Sequence, residues 1–368
     1  MIMNDIVMTL DAGGTNFVFS AYQNAKEIIE HVHLKTPKKE DGAVLDDVLN
    51  TIVKGFRMVE ERLPGKPMAI SFSFPGPAEY ELGIIGDLQN LPLFRGGVAL
   101  GPMLQNIFGI PVFINNDGDL FAYGEAMGGF LQHINQKLEA VGSPKRFKNL
   151  LGVTFGSGFG GGIVTDGKIY PGDNSAQGEI NRFCDKFNTN FSIEESTSIK
   201  AIKRMYREFS GSHDESLEPK DIFDIAEGNK PGNVMAAKTT FKKFAEAAGM
   251  ALANAASLTD GLIVIGGGLA NAYPIFLNDL VAEMNKPFHT NAGEDITRME
   301  VSVFNLEDEK DMEKFLKGDV RTVKVPFSDK TITYDPLKRI GVGVTRLGTE
   351  NAISLGAYYY AVNRLNLE

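Results

Sequence analysis

Apolar positions in the first part of the chain switch between a two-residue and a 3.6-residue period. Residues 6–10 form a short apolar run ending in Asp11-Ala12-Gly13-Gly14. Residues 17–22 follow directly, and a third β-rich run spans residues 26–34 after a turn at Gln23-Asn24. Runs joined by such short turns predict antiparallel hairpins. Val44, Leu45, Val48, Leu49, Ile52, Val53, Phe56 and Val59 then recur at helical spacing, which predicts an amphipathic helix with Gly65 marking its end. Strands are predicted over residues 68–74, stopping at Pro75-Gly76-Pro77, and over residues 112–114, running into Asn115-Asn116-Asp117. Residues 121–128 read as a helix.

The second part opens in the same manner. Residues 150–155 form a strand entering a glycine-rich turn, and residues 162–165 leave it as another. Residues 241–258 read as a helix with an alanine-rich, close-packing face. Residues 262–265 are a buried strand ending in Gly266-Gly267-Gly268, and residues 352–365 an amphipathic terminal helix. Strand, glycine turn and strand thus occur twice, a duplication of supersecondary structure rather than of sequence. Residues 305–319 hold nine charged residues in fifteen and, with a hairpin at residues 322–334, are expected as a solvated surface insertion.

Composition narrows the function classes. The 37 basic and 47 acidic residues leave a net charge of −10, so the basic footprint of a nucleic-acid binder is missing. Cys184 is the single cysteine, which excludes an intramolecular disulfide and a cysteine-rich metal site and suits a reducing compartment. No apolar stretch approaches a membrane span, and the N-terminal residues read as a strand rather than a signal peptide. A cytoplasmic protein is expected. Glycine, 40 of 368 residues, exceeds its usual share of about 7%, and the surplus is clustered in three turns.

The first turn, Asp11 to Asn16, places Gly13 and Gly14 directly after a strand. Their backbone N–H groups can approach an anion, Thr15 adds a hydroxyl, and Asp11 could hold a hydrated Mg²⁺ beside the same phosphates. A plain hairpin turn is the alternative. In the second turn Gly156, Gly158 and Gly161 spell G-x-G-x-x-G, but the residues that follow read as strand, not as the helix a dinucleotide site needs. A P-loop reading of residues 162–168 fails as well, because Ile169 stands where Ser or Thr would bind magnesium. What is left is a phosphate-cradling hairpin at Gly156, Ser157 and Gly158, the second of its kind. Two such hairpins can grip one nucleoside triphosphate across a cleft, while Gly266, Gly267 and Gly268 suit the close approach of a base or ribose.

In this order and spacing the motifs resemble the ROK family (repressors, open reading frames and kinases) of sugar kinases, within the actin-like ATPase fold, over roughly residues 5–300 and 345–365. Residues 10–16 resemble its first phosphate motif, Gly156-Ser157-Gly158 with residues 160–162 its second, and residues 266–268 its adenosine motif. Asn116-Asp117 resembles the family's catalytic pair and Asn90-Leu91 a sugar contact. Gly178-Glu179-Ile180 resembles the start of G-E-I-G-H, and Glu194 with Ser198 the element L-E-x-x-x-S. Gly356-Ala357 matches the pair on the last helix. The resemblance implies Asp117 as general base, with Asn90, Asn116, Glu179 and Glu194 bonding sugar hydroxyls. It further implies ATP held by Asp11, Gly13, Gly14, Thr15, Asn16, Gly156, Ser157, Gly158, Gly266, Gly267 and Gly268, and Mg²⁺ held through water by Asp11.

One departure stands out. Asn181-Arg182 replaces the family's Gly-His, and Asp185, Phe187 and Ser192 occupy the positions of its three zinc cysteines. No zinc is expected, and Arg182 becomes either a substrate contact or a partner of Glu179 or Glu194. The expected enzyme is an ATP- and Mg²⁺-dependent kinase of a hexose or N-acetylhexosamine. The alternative is a degenerate sugar-sensing protein; a DNA-binding repressor is not expected, with the first phosphate strand starting at about residue 6 and a charge of −10, and an NAD-dependent oxidoreductase rests on the G-x-G-x-x-G coincidence alone. Two α/β domains are expected around a cleft, residues 1–115 with 350–368 and residues 116–349. An insertion near residues 303–341 would serve as an oligomer contact, in a homodimer for example, or as a rim over the cleft.

Overall fold

The computed structural model describes residues 5–12, 16–76, 78–86 and 92–367. Its first part contains β1 (Val7–Ala12), β2 (Asn16–Gln23), β3 (Lys26–Glu27), β4 (Val32–Lys35), α1 (Leu45–Glu60), β5 (Ala69–Ser73), α2 (Leu100–Phe108) and β6 (Val112–Asn115). There follow α3 (Asp117–Met127), α4 (Phe130–Ala140), β7 (Leu150–Phe155), β8 (Phe159–Thr165), β9 (Lys168–Ile169), α5 (Glu194–Thr197), α6 (Ile199–Ser210), α7 (Pro219–Ala226) and α8 (Val234–Thr259). The last part holds β10 (Leu262–Gly266), α9 (Tyr273–Met284), β11 (Phe288–His289), β12 (Asp295–Ile296), β13 (Ser302–Asn305), α10 (Glu309–Lys317), β14 (Arg321–Lys324), β15 (Thr331–Tyr334), β16 (Arg339–Val344) and α11 (Thr349–Leu367).

Two sheets repeat one plan. In the first, β1 pairs antiparallel with β2 on one side and parallel with β5 on the other, and β5 continues parallel to β6. In the second, β7 pairs antiparallel with β8 and parallel with β10, and the parallel run continues through β16 to β13. The central parallel strands β5 and β10 are buried along their whole length, as helices on both faces require. The duplication read from the glycine turns is therefore a duplication of topology.

Local differences from the sequence expectations have plain causes. The third β-rich run is two strands: β2 pairs with β3 at Tyr22↔Glu27 and with β4 at Phe19↔Val32. Between these pairs Ser20 and Ala21 of β2 thus face four residues of its partner, 28–31, and the surplus bulges from the edge. α1 stops at Glu60 rather than at Gly65, because Pro64 has no N–H to give the Glu60 carbonyl and its ring crowds that group, so the helix cannot run on. β8 begins at Phe159, so Gly160, Gly161 and Gly162 lie in a strand and the turn is Gly156-Ser157-Gly158 alone. Part of the expected insertion belongs to the body: β13 and β16 pair in the second sheet, and Phe315 of α10 is fully buried and stacks on Phe147. Only β14–β15 stands clear, with every residue exposed.

α11 ties the halves together. It packs on β1 and β5 of the first sheet and crosses α3 backbone to backbone. A side chain on Gly124 would run into the Ala352 carbonyl, and one on Gly356 into that of Leu120. The alanine-rich face of α8 packs on α9 in the same manner, a Cβ on Gly249 falling 2.6 Å from the Leu280 carbonyl oxygen. No described helix is long and apolar enough to cross a membrane.

Candidate active site

Asn116 and Asp117 stand where β6 gives way to α3. Asn116 caps the helix, its Oδ1 accepting from the Gly118 N–H at 2.8 Å. The same N–H lies 2.9 Å from Asp117 Oδ1, so the carboxylate sits at the positive end of the helix dipole. Asp117 is reached by solvent through the cleft, yet protein crowds it on its other sides. That enclosure holds its pKa above the ordinary carboxylate value, and the Gly118 N–H and its own N–H pull it back.

Behind it lies a residue the sequence reading passed over. Asp119 is 4% exposed, and its Oδ1 has no hydrogen-bond partner among the described residues. Burial first, then the charges of Asp117 and Glu179, push its pKa up to about 8. At neutral pH Asp119 therefore keeps its proton. The signal was a second aspartate two residues after the first, Asp117-Gly118-Asp119. A raised carboxyl pKa means that the folded chain holds this proton more tightly than the unfolded one. The contribution of Asp119 to stability is therefore greatest below its ordinary pKa of 3.8 and is lost as pH rises through about 8. Between pH 6 and 9 the melting temperature should fall, with a slope of at most about 1.4 kcal/mol per pH unit from this group. In Asp119→Asn that part of the slope should vanish, as melting curves at both pH values would show.

The facing wall is the second glycine turn. Gly156 N–H donates to the Gly158 carbonyl at 2.9 Å, and Ile199 N–H donates to the Gly156 carbonyl at 2.8 Å. Glu194 Oε2 accepts from the Phe159 N–H at 2.9 Å, and Ser198 caps α6 through Ala201. Where Gly156 would carry a side chain there is open space, which leaves a cradle beside the turn. The next glycines serve packing instead. A Cβ on Gly161 would fall 2.6 Å from the Gly178 carbonyl oxygen, and one on Gly162 would run into that of Gly118. These contacts hold β8, the start of α3 and the Glu179 segment at fixed distances from one another.

A cleft of about 460 Å³ brings together Asn116, Asp117, Glu179 and Glu194 with Gly156, Ser157, Gly158 and Gly267. Glu179 is half-buried. Burial raises its pKa, Arg182 opposes the rise, and the charge of Asp117 adds to it. Arg182 itself is exposed and does not line the cleft; Asn181 does, with a buried Oδ1 that has no partner among the described residues. Of the two roles expected for Arg182, substrate contact or partner of Glu179 or Glu194, the charge it sets beside Glu179 matches the second, and Asn181 is the neighbour that lines the cleft. The loop beyond is closed by Asp185, which accepts from the N–H groups of Phe187 and Asn188, and by the Lys186–Glu283 ion pair at 2.7 Å. Cys184 is exposed, and among the described residues no three histidine, cysteine or carboxylate side chains gather as a metal site.

The third turn divides. Gly266 is buried against the Phe121 ring, Gly268 is exposed, and Gly267 lines the cleft with φ +84°. Its N–H donates to Thr349 Oγ1 at 2.8 Å, so the first turn of α11 belongs to the site, a contribution no local motif announces. Asp11 is half-buried at the end of β1; burial first, then the charges of Glu350 and Asp117, raise its pKa. Asn16 begins β2 opposite Lys35 and is exposed. Gly13, Gly14, Thr15 and Asn90 lie outside the described residues.

The model of the ROK family matches residues 7–310. A glucokinase from Parabacteroides distasonis is 51% identical, with a TM-score of 0.90 over 98% of both chains. A glucokinase from Halalkalibacterium halodurans is 28% identical over 288 residues, 72% of this chain and 80% of that protein. An N-acetyl-D-glucosamine kinase from Photobacterium profundum is 26% identical over 279 residues, 71% and 83% of the two chains. A ROK family glucokinase from Streptomyces griseus, in complex with glucose and AMPPNP, shares the fold with a TM-score of 0.62 at 18% identity.

Proposed function

The chain belongs to the ROK family, and we infer that it is a sugar kinase moving the γ-phosphoryl group of ATP to a hydroxyl of glucose. Its architecture is the two-domain actin-like ATPase fold. One observation carries the reading: a helix-capped carboxylate, Asp117, faces a glycine turn with open space beside it in a single cleft. Glucose, rather than another sugar, rests on the 51% identical glucokinase.

Asp117 would take the proton of the attacking hydroxyl as the phosphoryl group arrives. Asn116, Asn181, Glu179 and Glu194 offer the fixed donors and acceptors that a polyol needs, since each buried hydroxyl left unpaired costs free energy. The Gly156 turn would receive phosphate oxygens, and Gly267 with Thr349 the nucleoside end. A hydrated Mg²⁺ fits the charge around Asp11, whose pKa is raised by burial and by its neighbours Glu350 and Asp117, with no ion-pair partner among the described residues. Bound there with ATP, the ion would neutralise phosphate charge. Residues 1–115 with 350–368 would close on residues 116–349 and exclude water from the transfer.

The test is a coupled ADP-release assay with Mg-ATP across glucose, mannose, fructose, N-acetylglucosamine and N-acetylmannosamine. The expected result is a kcat/KM for glucose at least tenfold above every other sugar. A preference for N-acetylglucosamine would align the chain with the Photobacterium relative instead.

A further inference from the structure

The parallel strands of the second sheet begin at a cavity of about 630 Å³. Its walls are the segments that lead into β7, β10, β13 and β16: residues 145–149, Asp260, residues 297–301, and Lys338 with Arg339. The Gly156 and Gly267 turns stand at the other ends of β7 and β10. This cavity and the cleft therefore lie at opposite edges of one sheet.

Six cations line the cavity, Lys145, Arg146, Lys148, Arg298, Lys338 and Arg339, against the two carboxylates of Asp260 and Glu300. The chain as a whole has a net charge of −10, so the local sign runs against the average. Three of the cations are ion-paired: Arg339 with Asp335 at 2.6 Å, Arg298 with Glu283 at 3.1 Å and Lys148 with Asp166 at 3.0 Å. Glu283 is itself shared with Lys186 at 2.7 Å, and the Lys148 pair is solvent-exposed, where such pairs contribute little. Lys145, Arg146 and Lys338 form no ion pair among the described residues. Arg146 Nη1 donates to the Ser143 and Lys145 carbonyls, each at 2.7 Å, which steadies the guanidinium and leaves its charge unmatched.

Lys145 is half-buried, with its ammonium 5.3 Å from the centre of the Phe147 ring. Burial first, then the charge of Arg339, hold its pKa below the ordinary lysine value, and Asp335 and Asp260 oppose the fall. A bound anion would relieve both causes. Phe147, Met299 and Ala256 give the same cavity a buried apolar floor. Unmatched cations around an apolar floor suit a dianionic group carried on a carbon skeleton. Phosphate answers that description: an arginine fork can meet two of its oxygens, while lysines act as mobile point charges.

We propose that this cavity is a second ligand site, for a small phosphomonoester whose phosphate is held by Lys145, Arg146 and Lys338 and whose carbon skeleton rests against the Phe147 and Met299 floor. The site is separate from the cleft, and its existence does not depend on which sugar the cleft accepts.

Glucose 6-phosphate serves as the probe, a dianion on a sugar ring, titrated calorimetrically into the full chain with saturating glucose and no nucleotide. The expected result is saturable binding with a dissociation constant below about 1 mM. It should weaken at least tenfold in Lys145→Met combined with Lys338→Ala, since charge-assisted bonds to phosphate are the strong ones. Methionine keeps the stem beside Phe147 and removes the charge. Should the double variant not fold, Lys338→Ala alone, at an exposed position, should weaken binding at least threefold. Inorganic phosphate, which leaves the apolar floor bare, should bind at least threefold more weakly than the probe. Binding undiminished in the lysine variants, or abolished by glucose, would place the probe in the cleft and overturn the proposal. Absence of saturation at about 10 mM probe, or equal affinity for inorganic phosphate, would overturn it as well. The readout is heat of binding without ATP, so a failure here is separate from a failure of sugar phosphorylation, which ADP release reports.

Discussion

Replacing Asp117 by Asn is expected to lower kcat for the proposed glucose phosphorylation by about 10²–10⁴-fold, the range a positioned general base contributes, and to leave the glucose KM within a few-fold. The asparagine keeps the shape of the carboxylate and can still accept from the Gly118 N–H at the helix start, so α3 and its cap stay in place. It can also still bond the sugar hydroxyl, which preserves ground-state binding. What it cannot do is receive the proton, and that loss is felt only in the transition state. The split between kcat and KM is therefore the diagnostic quantity, measured by initial rates over glucose and checked against an unchanged melting temperature. A kcat near that of the parent chain would remove Asp117 from the chemistry.

Gly356→Ala, two turns along α11 from Thr349, should destabilise the fold by about 3 kcal/mol, the upper end of ordinary overpacking. A single Cβ at this position is driven into the Leu120 carbonyl oxygen, and the Gly124 backbone nitrogen lies 3.0 Å away. Both obstacles are backbone, so no side-chain rotation relieves them. The helices α3 and α11 would have to move apart, disturbing the burial of Leu120, Ala352 and Ala357. A fall in melting temperature on the order of 5–10 °C is expected. The same shift draws Thr349 away from the Gly267 N–H, so the KM for ATP should rise by more than that for glucose. Thermal melts together with ATP titration check both parts; an unchanged melting temperature would contradict the close crossing.

The sequence carried much of this because the informative features are local. Hairpins announce themselves by short turns between β-rich runs, and β7, β8 and β10 lie close to where alternation and glycine placed them. The pair Asn116-Asp117 and the turn Gly156-Ser157-Gly158 are contiguous motifs, and the fold brings them to opposite walls of one cleft. What escaped the reading depends on three-dimensional proximity. Asp119 is an ordinary acid in one dimension; only its burial beside Asp117 and Glu179 makes it a protonated one. Asn181 and Arg182 are adjacent in sequence, and which faces inward is decided by the short helical turn Ile180–Arg182. Thr349 reaches Gly267 across 82 positions, and no periodicity encodes that. The glycines at positions 161 and 162 look like more of the phosphate turn but serve the packing of β8 against Gly178 and Gly118. Composition cannot distinguish a glycine needed for a ligand from one needed for a neighbouring backbone.

The most direct measurement of the central claim is ADP formation from Mg-ATP by the purified chain, with and without glucose, alongside calorimetric glucose binding. Phosphoryl transfer from the Gly156 side of the cleft to a hydroxyl held at Asp117 predicts glucose binding and ADP release that requires glucose, with little turnover in its absence. Glucose binding without any ADP release, or ADP release at one rate whether or not the sugar is present, would contradict it.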